Sequence, residues 1–253
     1  DCSGGAGIQA DLKTFSAHKL FGMSVIVSVV AENTARVISC FDISTQSVDE
    51  QMLAVFEDIV PKATKIGMLP SKELMACIAQ NLRRFKPENV VIDPVMFAKN
   101  GYALMSPQNC EFFAQTMLEF ADILTPNIPE AEFLCGFEIK DENAMIKAAK
   151  VLCQKGAKAV LLKGGHRKDN ANDIFFDGQE IHLLESKRID TKNTHGTGCT
   201  LSSAIASNLA LGKDKLGAVK AAKEYVFGAI LHSLSLGKGC GPTNHFYKFL
   251  END

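Results

Sequence analysis

Val90-Val91-Ile92-Asp93-Pro94-Val95 is an apolar run broken only by an acid and a proline near its end. A run this short, without polar alternation, reads as a strand buried on both faces. Helix-period segments flank it, Lys72–Phe85 before and Pro107–Phe120 after. The alternation extends both ways along the chain. Met23–Val30, Lys65–Leu69, Asp122–Thr125 and Ala159–Lys163 read as further buried strands. Ile8–Lys19, Val48–Val60 and Glu142–Lys155 read as helices between them, and Thr200–Leu211 and Lys213–Leu234 as two closing helices. This βαβα rhythm predicts an α/β fold of three layers, a mostly parallel central sheet covered by helices on both faces. Asp173–Phe176 and Glu180–Leu184 flank Asp177-Gly178, the signature of a hairpin turn. No internal repeat, low-complexity tract or linker interrupts the pattern, so residues 1–253 are expected to form one domain.

Composition narrows the function. The net charge is −2 and there is no long basic run, which leaves binding to nucleic acid or membrane through charge unsupported. No apolar run has membrane-spanning length. A small-molecule partner is the expectation. The eight cysteines, at 2, 40, 77, 110, 135, 153, 199 and 240, form no Cys-x-x-Cys pair and no dense frame. Scattered in apolar segments, they fit a reduced, cytoplasmic protein. No Cys/His cluster has zinc spacing.

Open α/β sheets bind ligands beyond the carboxyl ends of their strands. Met68, Asp93 to Val95, Thr125 to Asn127 and Lys163 to Gly165 all fall at or just after predicted strand ends. Two glycine-rich stretches, Gly4 to Gly7 and Gly196 to Cys199, each open a predicted helix. In Asn193-Thr194-His195-Gly196-Thr197-Gly198-Cys199-Thr200, the glycines permit a tight turn, and the helix behind presents free N–H groups to an anion. The plainer alternative is a helix cap after a glycine turn. Asp93, Asn127 and Glu130 offer oxygen ligands; Asn127 and Glu130 also suit a helix cap and a first-turn acid. Lys163 suits a phosphate, or a side chain snorkelling at a sheet rim. A thiol at a helix N-terminus, as at Cys199, has a raised thiolate fraction. Cys199 can therefore accept a proton, contribute its N–H to an anion hole, or simply pack as a small hydrophobe. His195 and His166 read as orienting or packing residues. Met96–Met105 contains Lys99-Asn100-Gly101 and reads either as a flap over the site or as an ordinary surface loop.

Six segments in register carry a resemblance. Asp1-Cys2-Ser3-Gly4-Gly5-Ala6-Gly7-Ile8-Gln9-Ala10-Asp11-Leu12-Lys13, Lys65–Leu69, Val91–Met96, Thr125–Ala131, Leu162–His166 and His195–Ser202 (HGTGCTLS) resemble the hydroxymethylpyrimidine/phosphomethylpyrimidine kinases, the vitamin-kinase branch of the ribokinase-like superfamily. The resemblance implies a ribokinase-like fold, with a short first strand expected before Asp1. It implies an ATP- and Mg²⁺-dependent enzyme of thiamin biosynthesis. That enzyme phosphorylates 4-amino-5-hydroxymethyl-2-methylpyrimidine and then the monophosphate to the diphosphate. It assigns Gly196, Thr197, Gly198, Cys199 and Lys163 to catalysis, and Ala6, Asp11, Glu32, Met68, Val95 and Cys199 to substrate contact. ATP and its phosphates fall to Asp93, Asn127, Glu130, Lys163, Thr197 and Gly198, and Mg²⁺, mostly through water, to Asp93 and Glu130. A homodimer is also implied. Cys2 departs from the proline common in the family. Glu32 stands where the family has Gln or Glu, and an ionised Glu only accepts hydrogen bonds. Two other functions compete: a pyridoxal/pyridoxine kinase on the same scaffold, and a non-catalytic nucleotide-binding module.

Overall fold

The computed structural model describes residues 1–98, 101–165 and 172–249. Its elements begin with α1 (Gly7–Ala17), β1 (Ser28–Glu32), β2 (Val37–Asp42), α2 (Thr45–Asp58), β3 (Thr64–Ile66), α3 (Lys72–Phe85), β4 (Val90–Ile92) and α4 (Pro107–Thr116). They continue with β5 (Ile123–Leu124), α5 (Ile128–Cys135), α6 (Glu142–Gln154), β6 (Val160–Leu162), β7 (Asp173–Phe176), β8 (Ile181–Leu184), α7 (Thr197–Ala210) and α8 (Lys215–Leu231). Contacts gather the chain into two compact units. One holds Asp1–Val60, Ala98–Tyr102 and Ile189–Asp253; the other holds Pro61–Phe97 and Ala103–Arg188.

The second unit carries the six-stranded sheet, in the order β3-β4-β5-β6-β7-β8. β3 to β6 are parallel, with Ile66 opposite Ile92, Ile92 opposite Leu124 and Leu124 opposite Val160. The β7–β8 hairpin joins β6 antiparallel, with Gly178 at φ 100° in its turn. Val91, Ile92, Ile123, Leu124 and Val160 to Leu162 are fully buried, as a parallel strand covered on both faces requires. Crossover helices supply the cover. α3 is capped by the Ser71 hydroxyl and buries Leu74, Met75, Ile78, Ala79 and Leu82 on one stripe. The strands end earlier than their apolar runs. Asp93 to Val95 thus lie past the carboxyl end of β4, where open α/β sheets place ligands.

The first unit is mostly helical. α7 is buried continuously from Thr200 to Leu209. Its small residues, Ser202, Ser203, Ala204, Ala206 and Ser207, let α1 and α8 pack closely against it. The only sheet of this unit, among the described residues, is the antiparallel pair β1–β2. Here the sequence expectation fails. Met23–Val30 is not one buried strand: only Ser28 to Val30 enter β1, and that strand is half-covered at best. Earlier in the run, Ile26 satisfies its backbone N–H and C=O through the Gln51 side-chain amide, at 2.8 and 3.1 Å. A β-branched run carries the same composition in a buried central strand and in an exposed two-stranded ribbon, so composition does not separate them.

Candidate active site

α7 opens the first unit's site. Its cap residue Gly196 sits at φ 76°, in the left-handed region, and offers no capping side chain. The first turn of α7 contains no acid. By contrast Ser44, Ser71, Ser106, Asn127, Asp141 and Asp214 each cap their helix by a side chain. The positive end of the helix dipole is thus met by no capping side chain and no acid, which suits an external anion. Thr197 turns its hydroxyl away, donating to Thr194 O at 2.8 Å. Gly196 must be glycine for a second reason: a Cβ there would strike the Gly5 carbonyl. The loop is also braced from behind. Thr200 Oγ1 donates to Gly196 O at 2.8 Å and lies 3.1 Å from His245 Nε2. Burial, with Lys13 nearby, pushes the His245 pKa down to about 4, so the ring is neutral at pH 7.

Asp1 plays a part that its motif does not announce. Its carboxylate accepts Ser3 N at 2.6 Å, Gly5 N at 3.1 Å, Ala6 N at 2.7 Å and His195 Nε2 at 2.8 Å. It thus caps the entry to α1 and ties the Gly4–Gly7 turn to the anion loop through the imidazole. His195, read as orienting or packing, is held by this bond to the Asp1 carboxylate beside the glycine turns. Asp1, Glu32 and His195 place ligand atoms within 4.8 Å of one another. Within this trio the Asp1 carboxylate already accepts from four donors, three backbone N–H groups and the His195 ring. Ala6 is the cap residue of α1, and Glu32 ends β1 where the register shifts between Ala31 and Glu32. Asp11 is 8% exposed and accepts a 2.6 Å bond from Ser203 Oγ on α7. The carboxylate of Asp11 is therefore bound between helices, not displayed on a solvent-facing first turn.

The second unit brings together a different set. Asp93, past the end of β4, is 2% exposed. Its Oδ1 accepts the Thr125 hydroxyl at 3.1 Å and the Lys163 ammonium at 2.9 Å. Lys163 N–H is in turn held by Pro126 O at 2.8 Å. Asn127 and Glu130 form a reciprocal capping box on α5: Glu130 N donates to Asn127 Oδ1 at 2.9 Å, and Asn127 N to Glu130 Oε2 at 2.8 Å. The capping expectation is correct for both residues. Yet Glu130 is only 3% exposed, far more buried than a helix cap needs. Burial pushes its carboxyl up to about 7, Lys163 pulls the other way, and Asp93 adds to the rise. The Met96 backbone N–H also donates to it. Met68 and Val95 lie half-buried just past β3 and β4. Gly164 has a local reason for being glycine: a Cβ would strike the Asn172 carbonyl, and its N–H is taken by Asp173 Oδ1 at 2.8 Å. Lys99, Asn100 and His166 lie outside the described residues. Of the Met96–Met105 segment, Phe97 pairs with Ala103 across an antiparallel bridge, so its stem is a hairpin. A separate depression of about 650 Å³ lies at the opposite, amino end of β4 to β6, lined by Arg83, Lys86, Asp122 and Lys158 among others. Its Arg83–Glu119 and Lys158–Asp122 pairs are 2.6 and 2.7 Å long.

The sequence profile of a family described as phosphomethylpyrimidine kinase matches residues 1–244. The hydroxymethylpyrimidine/phosphomethylpyrimidine kinase of Rhizobium meliloti is 47% identical over 253 residues, spanning 98% of this chain and 95% of the relative. The crystal structure of a phosphomethylpyrimidine kinase from Clostridium difficile shares the fold at TM-score 0.82 and 43% identity, covering 91% of this chain and 95% of that one. An ADP complex of Bacillus subtilis pyridoxal kinase gives TM-score 0.90 at 37% identity, over 98% and 95%.

Proposed function

The chain belongs to the phosphomethylpyrimidine kinase family and is a ribokinase-like phosphotransferase of thiamin biosynthesis; from that premise we propose how its own residues perform the reaction. The acceptor is 4-amino-5-hydroxymethyl-2-methylpyrimidine, then its monophosphate. The donor is ATP, supported by the ADP-bound neighbour. In each step the bond from the γ-phosphorus to the β-bridging oxygen breaks and a bond to the acceptor oxygen forms. In the first step the alcohol also loses its proton, which the Cys199 thiolate accepts to become the thiol. Such a reaction needs positioning and charge neutralisation more than covalent chemistry. The observation that carries the assignment of roles is the uncapped, acid-free N-terminus of α7. The first turn of α7, Thr197 to Cys199, faces the transferring phosphoryl group with the positive end of the helix dipole, and Gly196 sets its direction. Lys163, with Asp93 beside it, meets the triphosphate as a point charge.

Asp93 and Glu130 present carboxylate oxygens, the hard donors Mg²⁺ prefers, and Asn127 adds an amide oxygen. The set fits a magnesium ion held largely through water; bound there, the ion neutralises triphosphate charge. Glu32, Ala6, Asp11, Met68 and Val95 are the residues assigned to acceptor contact. Glu32 accepts from the ring amino group, and Met68 and Val95 pack on the ring. The single profile match spans both units, which supports reading residues 1–253 as one kinase domain. No helix among the described residues is long and apolar enough to cross a membrane, and no two cysteines there form a disulfide. A homodimer is supported by the β1–β2 ribbon, which leaves Val29, Ile38 and Phe41 at 51, 63 and 72% exposure. A sedimentation mass of one chain overturns it.

The deciding assay is by mass spectrometry, with MgATP and, separately, the hydroxymethylpyrimidine, its monophosphate and pyridoxal. Diphosphate formed from the monophosphate is the expected product, since an alcohol kinase does not make it. Pyridoxal phosphate alone moves the assignment to vitamin B6 salvage. Nucleotide binding without any product leaves a binding module.

Cys199 divides the two steps. The monophosphate is already largely ionised at pH 7, so its attacking oxygen needs no base. We propose that the Cys199 backbone N–H, not its thiol, serves that step. Cys199→Ala is expected to keep kcat for the monophosphate within about threefold of the parent. A hundredfold loss there, the size of a missing general base, is about what would assign the work to sulfur.

A further inference from the structure

The β1–β2 turn is held by Asn33. Its N–H donates to Arg36 O at 3.0 Å, and its Oδ1 accepts Ala35 N at 2.9 Å and Arg36 N at 3.0 Å. Such side-chain-to-backbone bonds are how asparagine builds a turn. Thr34 sits within this turn, two residues beyond Glu32. A distant stretch grips it on two sides. Gly239 N–H donates to Thr34 Oγ1 at 3.1 Å, and Cys240 N–H to Thr34 O at 2.9 Å. The glycines of Gly237–Gly241 have a steric reason to be there. A Cβ on Gly237 would strike the Thr34 side chain, and one on Gly239 the Thr34 carbonyl. One on Gly241 would strike the Leu234 carbonyl. Gly237 also needs its φ of 75°.

The chain of bonds continues beyond Thr34. Gly241 N–H donates to Asn193 Oδ1 at 3.1 Å, and Gly241 O accepts His195 N at 3.0 Å. His195 immediately precedes Gly196, the residue that aims the anion loop. An unbroken backbone path thus runs from the Glu32 end of β1, through Thr34 and the glycine segment, to the start of α7. The Gly237–Pro242 segment has the β1–β2 turn as its partner.

We propose that Thr34 is a positioning residue, fixing Glu32 relative to the anion loop through the Gly237–Gly241 segment. It touches no reacting atom. The inference rests on the kinase reading above, since it takes Glu32 to face the acceptor. Its hydroxyl is the working group: serine supplies the same acceptor, and valine keeps the shape but leaves the Gly239 N–H without its partner.

The test compares Thr34→Val and Thr34→Ser with the parent protein, using the hydroxymethylpyrimidine and MgATP. T34V is expected to raise the acceptor KM about tenfold, the scale of one lost hydrogen bond. The ATP KM stays within about twofold, and T34S restores the acceptor KM. Cys240→Ala, which keeps the backbone donor, behaves as the parent. An unchanged acceptor KM in T34V overturns the proposal. So does an equal rise in both KM values, or equal damage from T34S, each of which marks a merely structural residue. Should T34V not fold, Thr34→Ala removes the same acceptor and carries the same expectations. If the parent protein itself makes no phosphorylated pyrimidine, the kinase reading has failed, and that outcome is distinct from a T34V that matches an active parent.

Discussion

Gly196→Ala is expected to lower kcat/KM about a thousandfold for both acceptors while leaving a folded protein. Two independent features of Gly196 point the same way. Its φ of 76° lies where a side chain costs about 1–3 kcal/mol. A Cβ would also strike the Gly5 carbonyl, which is backbone and has no rotamer in which to retreat. Either the Gly4–Gly7 turn or the start of α7 must move. The Asp1 carboxylate holds the first through Gly5 N and Ala6 N, and the second through His195, so moving one strains the other. Donors to a developing charge act only when aimed to within a few tenths of an ångström, and a misplacement of about 1 Å costs about a hundredfold. Several N–H groups shift together here, which raises the loss. Gly212→Ala is the control. Gly212 sits just beyond the same helix at φ 87°, with nothing within 4 Å of its Cβ. It carries a comparable backbone cost without a clash. A melting temperature lowered similarly in both variants, with activity lost only in Gly196→Ala, is the expected result. Equal activities in the two variants would remove the anion loop from the mechanism.

The parts of this protein that were legible in its sequence are those where one physical demand dominates. A strand buried on both faces must be apolar throughout, so Val90–Ile92, Ile123–Leu124 and Val160–Leu162 announce themselves. A helix that covers them must be apolar on one stripe, and Lys72–Phe85 begins and ends where that stripe does. The β1–β2 ribbon obeys no such demand: Val37–Asp42 is almost wholly exposed, and its pattern offers nothing to read. α5 is short, and Asn127-Ile128-Pro129-Glu130 reads as its capping box only once Glu130 is allowed two roles. The same holds at the site. Gly196 to Cys199, Asp93 and Lys163 carry chemistry in their residue types. Asp1, Thr200 and His245 act by holding backbone, which depends on chain segments 194 and 45 residues apart meeting. No local pattern encodes that meeting.

Glu130→Gln separates what the second unit does for stability from what it does for phosphoryl transfer. In the native protein burial raises the Glu130 carboxyl to about 7, above the ordinary value of 4.5. Between those values the folded state holds a proton that the unfolded chain has released. Stability therefore falls as pH rises through that window, and the loss is complete once pH passes the folded value. Glutamine carries no such penalty. Its side-chain oxygen still accepts from Asn127 N, which the carboxylate holds at 2.8 Å, so the α5 cap survives in part. Melting temperatures without added Mg²⁺ should consequently shift in favour of the variant between pH 5 and pH 8. Activity moves the other way. On the proposed reading, the amide removes one of the two carboxylates assigned to Mg²⁺ and leaves Lys163 and Asp93 as a neutralised pair. A loss of kcat/KM of about a hundredfold or more is expected, together with loss of the extra thermal stabilisation that MgATP gives the parent protein. Activity within threefold of the parent would show that Glu130 is a cap alone. A melting difference that stays constant from pH 5 to 8 would show that its carboxyl titrates as though exposed.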